Sequence, residues 1–148
     1  MKHSGRILDK INNLLDANYE VEKIYSEIFK TVSNESIKKF FKERQIKRHE
    51  FSRELITEID KHDIIPKSVS SLNNYYNKKQ SKGKDIEILN SGNSLLFEVF
   101  RLKNESLDTY NELLTEMSLP LSICKALIKQ RDDIQATIQI LARDEVFV

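Results

Sequence analysis

The fold is decided by residues 34–59, which read NESIKKFFKERQIKRHEFSRELITEI. Large and mostly apolar side chains recur here in steps of three and four, the spacing that places residues on one face of an α-helix. The members of this stripe are Ile37, Phe41, Arg44, Arg48, Phe51, Leu55 and Ile59. Ser33 and Asn34 stand just before it and predict an N-cap. The stretch therefore predicts a long amphipathic helix with two arginines on its core-facing side.

Three other stretches repeat this spacing. The first carries Ile7, Ile11, Leu14, Asn18, Val21, Tyr25, Ile28 and Val32. The third carries Leu96, Phe100, Lys103, Leu107, Tyr110, Leu114 and Met117, and the fourth carries Cys124, Leu127, Arg131, Ile134, Ile138 and Leu141. Proline is tolerated in the first turn of a helix, so Pro120 marks the fourth start. We predict helices over residues 5–32, 34–63, 94–117 and 119–143 of one domain spanning 1–148.

The composition supports an all-α class. The chain has 148 residues, enough for a single domain, and only three glycines and two prolines interrupt it. Its 24 basic and 23 acidic residues nearly cancel, which is typical of solvated helix faces and argues against a nucleic-acid partner. The chain has a single cysteine, no apolar run long enough to span a membrane and no apolar N-terminal segment, so we expect a cytoplasmic protein.

The lengths of the connections predict the topology. Two or three residues join helices one and two, and a similarly short turn joins helices three and four, so each pair must run antiparallel. Residues 64–93 between the pairs are far longer than a bundle turn requires and contain a weakly amphipathic stretch. We therefore predict a four-helix bundle of up-down-down-up connectivity, the ferritin-like arrangement, with a long and partly helical crossover between helices two and three.

Several short motifs resemble a bacterial family of ferritin-like bundles of unknown function. On the second helix the pattern F-x-x-x-x-x-x-R-x-x-F-x-x-E-L is present as Phe41, Arg48, Phe51, Glu54 and Leu55. The remaining matches are Tyr25, Tyr110, the Leu119-Pro120 step, Leu127 and Gln130. The resemblance covers nearly the whole chain, and it implies a ferritin-like fold without an established activity.

A di-iron site in a ferritin-like bundle needs a Glu from each of two helices and a Glu-x-x-His pair from each of the others. No Glu-x-x-His occurs in this sequence. The corresponding mid-helix positions hold Asn18 or Glu22, Gln45 with Arg48 or Ile46 with His49, Lys103, and Gln130 with Asp133. A cation at a bridging position repels a metal ion. We therefore predict no metal site, no cofactor and no catalytic residues.

The same positions suggest a layer of charged side chains between the helices. Its candidate members, which lie at comparable heights on inward or nearly inward stripes, are Glu22, Arg44, Arg48, Lys103 and Arg131. Buried charges are tolerated only when they are paired and hydrogen-bonded. The alternative is that these long side chains extend out to solvent between the helices. His49 and His62 have no second ligand at helical spacing, and we expect both to be solvated.

These observations favour a non-catalytic helical bundle that acts as an interaction module or a stress-related structural module. A homo-dimer is expected because two-fold assemblies are the commonest. An alternative is a metal-dependent oxidase or iron-handling protein with a rearranged site built from Glu22, Glu98, Glu105 or Asp133. A third possibility is a binder of small ligands or nucleic acid, although glutamates are interleaved with the basic residues of the second helix.

Overall fold

The computed structural model describes the backbone of residues 5–62 and 92–144 and the side chains of residues 6–62 and 94–137. Within these ranges the chain forms four α-helices: α1 (Gly5–Thr31), α2 (Glu35–Lys61), α3 (Gly92–Leu114) and α4 (Leu121–Asp144). The predicted all-α four-helix fold is confirmed. The predicted crossover lies almost entirely outside the described residues, as do the side chains of Ile138 and Leu141.

The local sequence explains where two of the helices begin. Asn34 has an extended backbone, and its side-chain oxygen accepts a hydrogen bond from the Ile37 N–H at 3.0 Å. This bond satisfies one of the donors that the first helical turn leaves unpaired. The Pro120 carbonyl accepts from the N–H groups of Ile123 and Cys124, both at 3.1 Å, and so begins α4. One polar cap and one proline therefore mark where the short connections end and α2 and α4 begin.

Each helix packs against two neighbours. Helix α1 contacts α2 and α3, and α4 contacts the same two helices. Arg6 near the start of α1 binds Glu116 just beyond the end of α3, so these helices are antiparallel. His62 stands just beyond the end of α2, and its Nε2 lies 2.7 Å from the Oγ of Ser122 at the start of α4. Helices α2 and α4 are therefore also antiparallel. Helices α2 and α3 consequently run in the same direction, with the end of one and the start of the other at opposite ends of the bundle.

The buried apolar residues form two clusters along the bundle. The first cluster contains Ile7, Ile11, Leu14, Leu15, Phe51, Leu55, Ile59, Tyr110, Leu113, Leu119, Ile123, Leu127 and Ile134. The second cluster contains Val21, Ile24, Tyr25, Ile28, Val32, Phe40, Phe41, Leu95, Val99 and Leu102. On α1, α2 and α3 the boundary between the clusters is marked by a buried polar residue, namely Asn18, Arg48 and Ser106.

The core face predicted for α3 is wrong by about one residue. The buried residues of this helix are Leu95, Glu98, Val99, Leu102, Ser106, Tyr110 and Leu113. Leu96, Phe100, Lys103, Leu107 and Leu114 from the predicted stripe are only half-buried, and Met117 is fully exposed beyond the end of the helix. Apolar residues occur in adjacent pairs along α3, and helical spacing alone does not decide which member of each pair faces the core.

None of the described helices is long and apolar enough to cross a membrane.

Candidate functional site

The most unusual feature of the core is the guanidinium of Arg48 at the centre of the bundle. Arg48 is only 5 % exposed and lies on α2 between the two apolar clusters. Its Nη1 donates to Asn18 Oδ1 on α1 at 2.8 Å and to Ser106 Oγ on α3 at 3.0 Å. Arginine keeps its charge inside proteins, so these hydrogen bonds offset part of the cost of removing it from water. The guanidinium thereby ties α2 to both α1 and α3.

The hydrogen bonds continue from Asn18 across the bundle. Asn18 Nδ2 donates to the Tyr110 hydroxyl at 2.9 Å, and this hydroxyl donates to Gln130 Oε1 on α4 at 2.7 Å. Gln130 Nε2 in turn donates to the Phe51 carbonyl at 3.1 Å and to Glu54 Oε1 at 2.9 Å. We call the residues joined by their side chains, which are Asn18, Arg48, Glu54, Ser106, Tyr110 and Gln130, the polar network. It connects all four helices.

The two ends of the polar network carry opposite charge. Arg48 is positive at the buried end, and the carboxylate of Glu54, whose side chain is 39 % exposed, lies at the other end within 3.5 Å of Lys129 Nζ. Between them Tyr110 acts as both acceptor and donor. Burial raises the pKa of Tyr110 to about 12, although Arg48 and the hydrogen bond from Asn18 act in the opposite direction. The phenol therefore keeps its proton near neutral pH and can donate it to Gln130.

The network also gives a physical reason for the motif on α2. Arg48, Phe51 and Glu54 are three residues apart, a spacing that keeps them on one side of a helix. Arg48 and Glu54 contribute side chains to the network and Phe51 contributes its carbonyl, while Tyr110 and Gln130 supply the matching groups on α3 and α4. Five residues of the short motifs that carry the family resemblance therefore meet at one place in the bundle.

Among the five residues of the predicted charged layer, the structure places Arg48 in the polar network. Arg44 is half-buried, and its Nη1 lies 3.7 Å from Asp133 Oδ1 on α4. Arg131 is also half-buried, and its Nη1 donates to Asn111 Oδ1 at 3.0 Å near the surface. Lys103 is half-buried on the side of α3 next to the core face. The fifth residue, Glu22, is buried and belongs to a different contact.

Glu22 pairs with a histidine at the junction of α1 and α2. Its Oε1 lies 3.0 Å from His49 Nδ1, and the side chain of His49 is 48 % exposed. The second oxygen, Oε2, is buried and has no hydrogen-bond partner among the described residues. Burial raises the pKa of Glu22, and the neighbouring His49 opposes this shift. His49 was expected to be solvated, and its spacing along the chain gave no sign of a partner 27 residues away.

The other carboxylates considered as metal ligands each lie beside a basic side chain. Glu98 and Glu105 both bind Arg101 within α3, Glu105 at 2.9 Å. Asp133 lies beside Arg44 at the α2–α4 contact. In the described part of the chain, no three His, Cys, Asp or Glu residues form a group that could hold a metal ion. These carboxylates therefore do not converge with Glu22 on one mid-bundle space.

A groove of about 230 Å³ lies between α1 and α3. Its lining includes the buried apolar residues Val21 and Leu102 and the more exposed Arg101 and Glu105. Ser106 also lines this groove and accepts a hydrogen bond from Arg48. The groove therefore touches the polar network at one point.

Sequence reasoning did not identify Asn18, Ser106, Tyr110 and Gln130 as partners of one another. Two of them did interrupt expected patterns, since Asn18 stands on an apolar stripe and Gln130 at a position where a metal protein has a ligand. Their common height in the bundle depends on how far each helix is shifted along its neighbour. Spacing within one helix does not report that shift.

Comparison with known proteins gives one match. Residues 6–116, which include α2, α3 and all of α1 except Gly5, match the family described as Domain of unknown function (DUF2383). No curated protein and no solved structure matched the chain significantly. Five of the six residues of the polar network lie within the matched range, and Gln130 lies beyond it. The predicted membership of an uncharacterised family is confirmed, and the chain belongs to the DUF2383 family.

Proposed function

We propose that this chain is a non-catalytic, ferritin-like helical module that works by binding other proteins, including a second copy of itself, in a structural and stress-related role. The observation that carries the proposal is the polar network. In ferritin-like metal proteins the middle of the bundle holds carboxylates and imidazoles from all four helices. Here a guanidinium, two amides, a phenol and a hydroxyl from four helices hydrogen-bond to one another at the centre.

The electrostatics of this centre support a structural role. The charge on Arg48 repels a divalent cation, and the repulsion is stronger in the interior than in water. The groups within hydrogen-bond reach of its Nη1 are the neutral side chains of Asn18 and Ser106. A network of this kind ties the helices together in one register and does not present open ligand positions.

The ferritin-like assignment is supported by the directions of the helices. Each helix is antiparallel to both of its neighbours, and α2 and α3 run in the same direction. The end of α2 and the start of α3 therefore lie at opposite ends of the bundle. Parallel second and third helices, which require one long connection, distinguish ferritin-like bundles from simple up-down-up-down bundles.

The interaction role is supported by apolar side chains on the surface. Met117, Leu121 and Ile128 are 100 %, 69 % and 41 % exposed and belong to the α3–α4 turn and α4. Exposed apolar side chains contribute to binding surfaces, and two-fold homo-dimers are the commonest assemblies. We further propose a bacterial, cytoplasmic setting, which agrees with a chain that has one cysteine.

A metal-dependent oxidase or iron-handling protein is the second candidate, and one observation favours it. Glu22 offers a buried oxygen without a hydrogen-bond partner among the described residues, and the imidazole of His49 lies beside it. Carboxylate and imidazole are ligand types that suit iron. A site there would need further ligands, since these two residues supply one carboxylate and one imidazole.

Elemental analysis separates the two candidates. The protein is purified without chelator, loaded anaerobically with ferrous iron, desalted and analysed for iron, manganese and zinc. The structural role predicts far less than one metal ion per chain, and a Glu22→Gln/His49→Gln variant gives the same result. About two metal ions per chain, lost in this variant, would establish the metal-dependent candidate and overturn the first.

A further inference from the structure

The outward side of α4 carries apolar and oppositely charged residues in one narrow stripe. Leu121, Lys125, Ile128 and Asp132 are all exposed and follow one another in steps of four, three and four. This spacing keeps them on one face of the helix. The opposite face, which includes Ile123, Leu127, Gln130 and Ile134, is buried in the bundle. The stripe is therefore directed away from the core.

The charged members of this stripe lack strong partners within the described residues. Lys125 has no acidic group within ion-pair distance in that part of the chain, and Asp132 Oδ1 lies 3.5 Å from Arg131 Nε beside it. The apolar members are well exposed, Leu121 at 69 % and Ile128 at 41 %. Ile128 with a charged residue on either side along the helix gives this face an apolar centre and a polar edge, which is the layout of a protein–protein interface.

The order of the charges makes this stripe complementary to itself. Lys125 stands three residues before Ile128, and Asp132 stands four residues after it. When two copies of α4 lie antiparallel about a two-fold axis at Ile128, Lys125 of one copy comes within about 1.5 Å, measured along the helix, of the height of Asp132 of the other. The two Ile128 side chains then meet at the axis. An isologous interface requires this kind of self-complementarity.

We propose that a second copy of this chain docks on the stripe formed by Leu121, Lys125, Ile128 and Asp132, giving a two-fold dimer with antiparallel α4 helices. The inference rests on the proposed homo-dimer and names the surface through which it forms. Two symmetric ion pairs flank a central contact between isoleucines. The apolar area is small, so the association is weak and depends on protein concentration.

Sedimentation equilibrium of the full chain over a wide concentration range tests the surface. We expect a monomer–dimer equilibrium for the wild type and a monomer for Ile128→Glu, which places two carboxylates at the axis. Lys125→Glu faces Asp132 of the partner subunit with a like charge and raises the dissociation constant at least about tenfold. The double swap Lys125→Glu/Asp132→Lys restores opposite charges and returns the constant to near its original value.

Ile46→Glu provides the matched control, because Ile46 is 46 % exposed on α2 and stands outside the stripe. It should leave the dissociation constant unchanged, and circular dichroism checks that every variant is folded. A wild type that is monomeric at all concentrations would overturn both the proposed dimer and its surface. A dimer that persists in Ile128→Glu would overturn the surface and leave the dimer standing. Lower stability in Ile128→Glu with no change in mass would mean that this chain's own residues cover the stripe, which also overturns the inference.

Discussion

The Tyr110 hydroxyl on α3 donates a hydrogen bond of 2.7 Å to Gln130 Oε1 on α4, and both residues are almost completely buried. The same hydroxyl accepts from Asn18 on α1 at 2.9 Å. One phenolic oxygen therefore joins three helices. Removing it leaves an amide donor and an amide acceptor buried without partners, which costs more than the loss of a hydrogen bond at the surface.

Tyr110→Phe is therefore expected to lower the free energy of unfolding by about 1–3 kcal/mol, because two buried groups lose their partner. Urea denaturation followed by circular dichroism measures the change. Tyr25→Phe is the matched control, since Tyr25 is also buried and lies outside the polar network. Equal losses in both variants would show that the hydroxyl of Tyr110 has no special role.

Asn34→Ala should shorten or weaken the start of α2 because the Asn34 side chain caps the Ile37 N–H. The expected loss is about 1 kcal/mol of unfolding free energy, typical of a capping residue replaced by alanine. Thermal and urea unfolding both report it. Ser33→Ala, one residue earlier and exposed, is the control and should change stability much less. If the two variants behave alike, the capping bond does not stabilise α2.

The first helix was the most predictable element, since all eight residues of its predicted stripe are buried. On the second helix the same spacing correctly placed Phe41, Arg48, Phe51, Leu55 and Ile59 in the interior, whereas Ile37 and Arg44 are only half-buried. The third helix was harder to predict. Leu95 and Leu96, or Leu113 and Leu114, are equally apolar neighbours, so the pattern fits two faces of the helix about 100° apart.

The partners of Arg48 could not be predicted from spacing. The exception is the contact with α1. Only three residues connect α1 and α2, which restricts how the two helices align, so a contact between Arg48 and the middle of α1 could have been predicted. No short turn joins α2 to α3, so the sequence does not determine how far along the bundle Ser106 and Tyr110 lie relative to Arg48. The pairing of Glu22 with His49 likewise depends on the rotation of two helices about their axes, which a single sequence does not specify.

The Glu22 carboxyl predicts an unusual dependence of stability on pH. Burial raises the pKa of Glu22 above its ordinary value of 4.5, so the folded protein binds this proton more tightly than the unfolded chain. The resulting contribution favours folding at low pH and is lost as the pH rises through the folded pKa. Glu22→Gln should therefore be more stable than the wild type above the folded pKa, and the difference should shrink toward pH 4.5.

Urea denaturation of both proteins from pH 4.5 to about pH 8 measures this difference. Glu116→Gln serves as a control of opposite sign. The hydrogen bond from Lys10, together with Arg6, lowers the pKa of Glu116, so its carboxylate favours folding above the unfolded pKa and loses that effect in acid. A Glu22→Gln variant that is less stable than the wild type at pH 8 would show that the pair with His49 outweighs the cost of burial.

Arg48 holds the middle of the bundle together, and the unfolding free energy of Arg48→Met is the most direct test of this role. Methionine fills a similar volume without the charge, but it leaves Asn18 Oδ1 and Ser106 Oγ without their donor. We expect a loss of about 2–3 kcal/mol. Arg44→Met, which removes a half-buried arginine 3.7 Å from Asp133, should cost less than about 1 kcal/mol. An Arg48→Met variant as stable as the wild type, or more stable, would show that no essential network depends on that guanidinium.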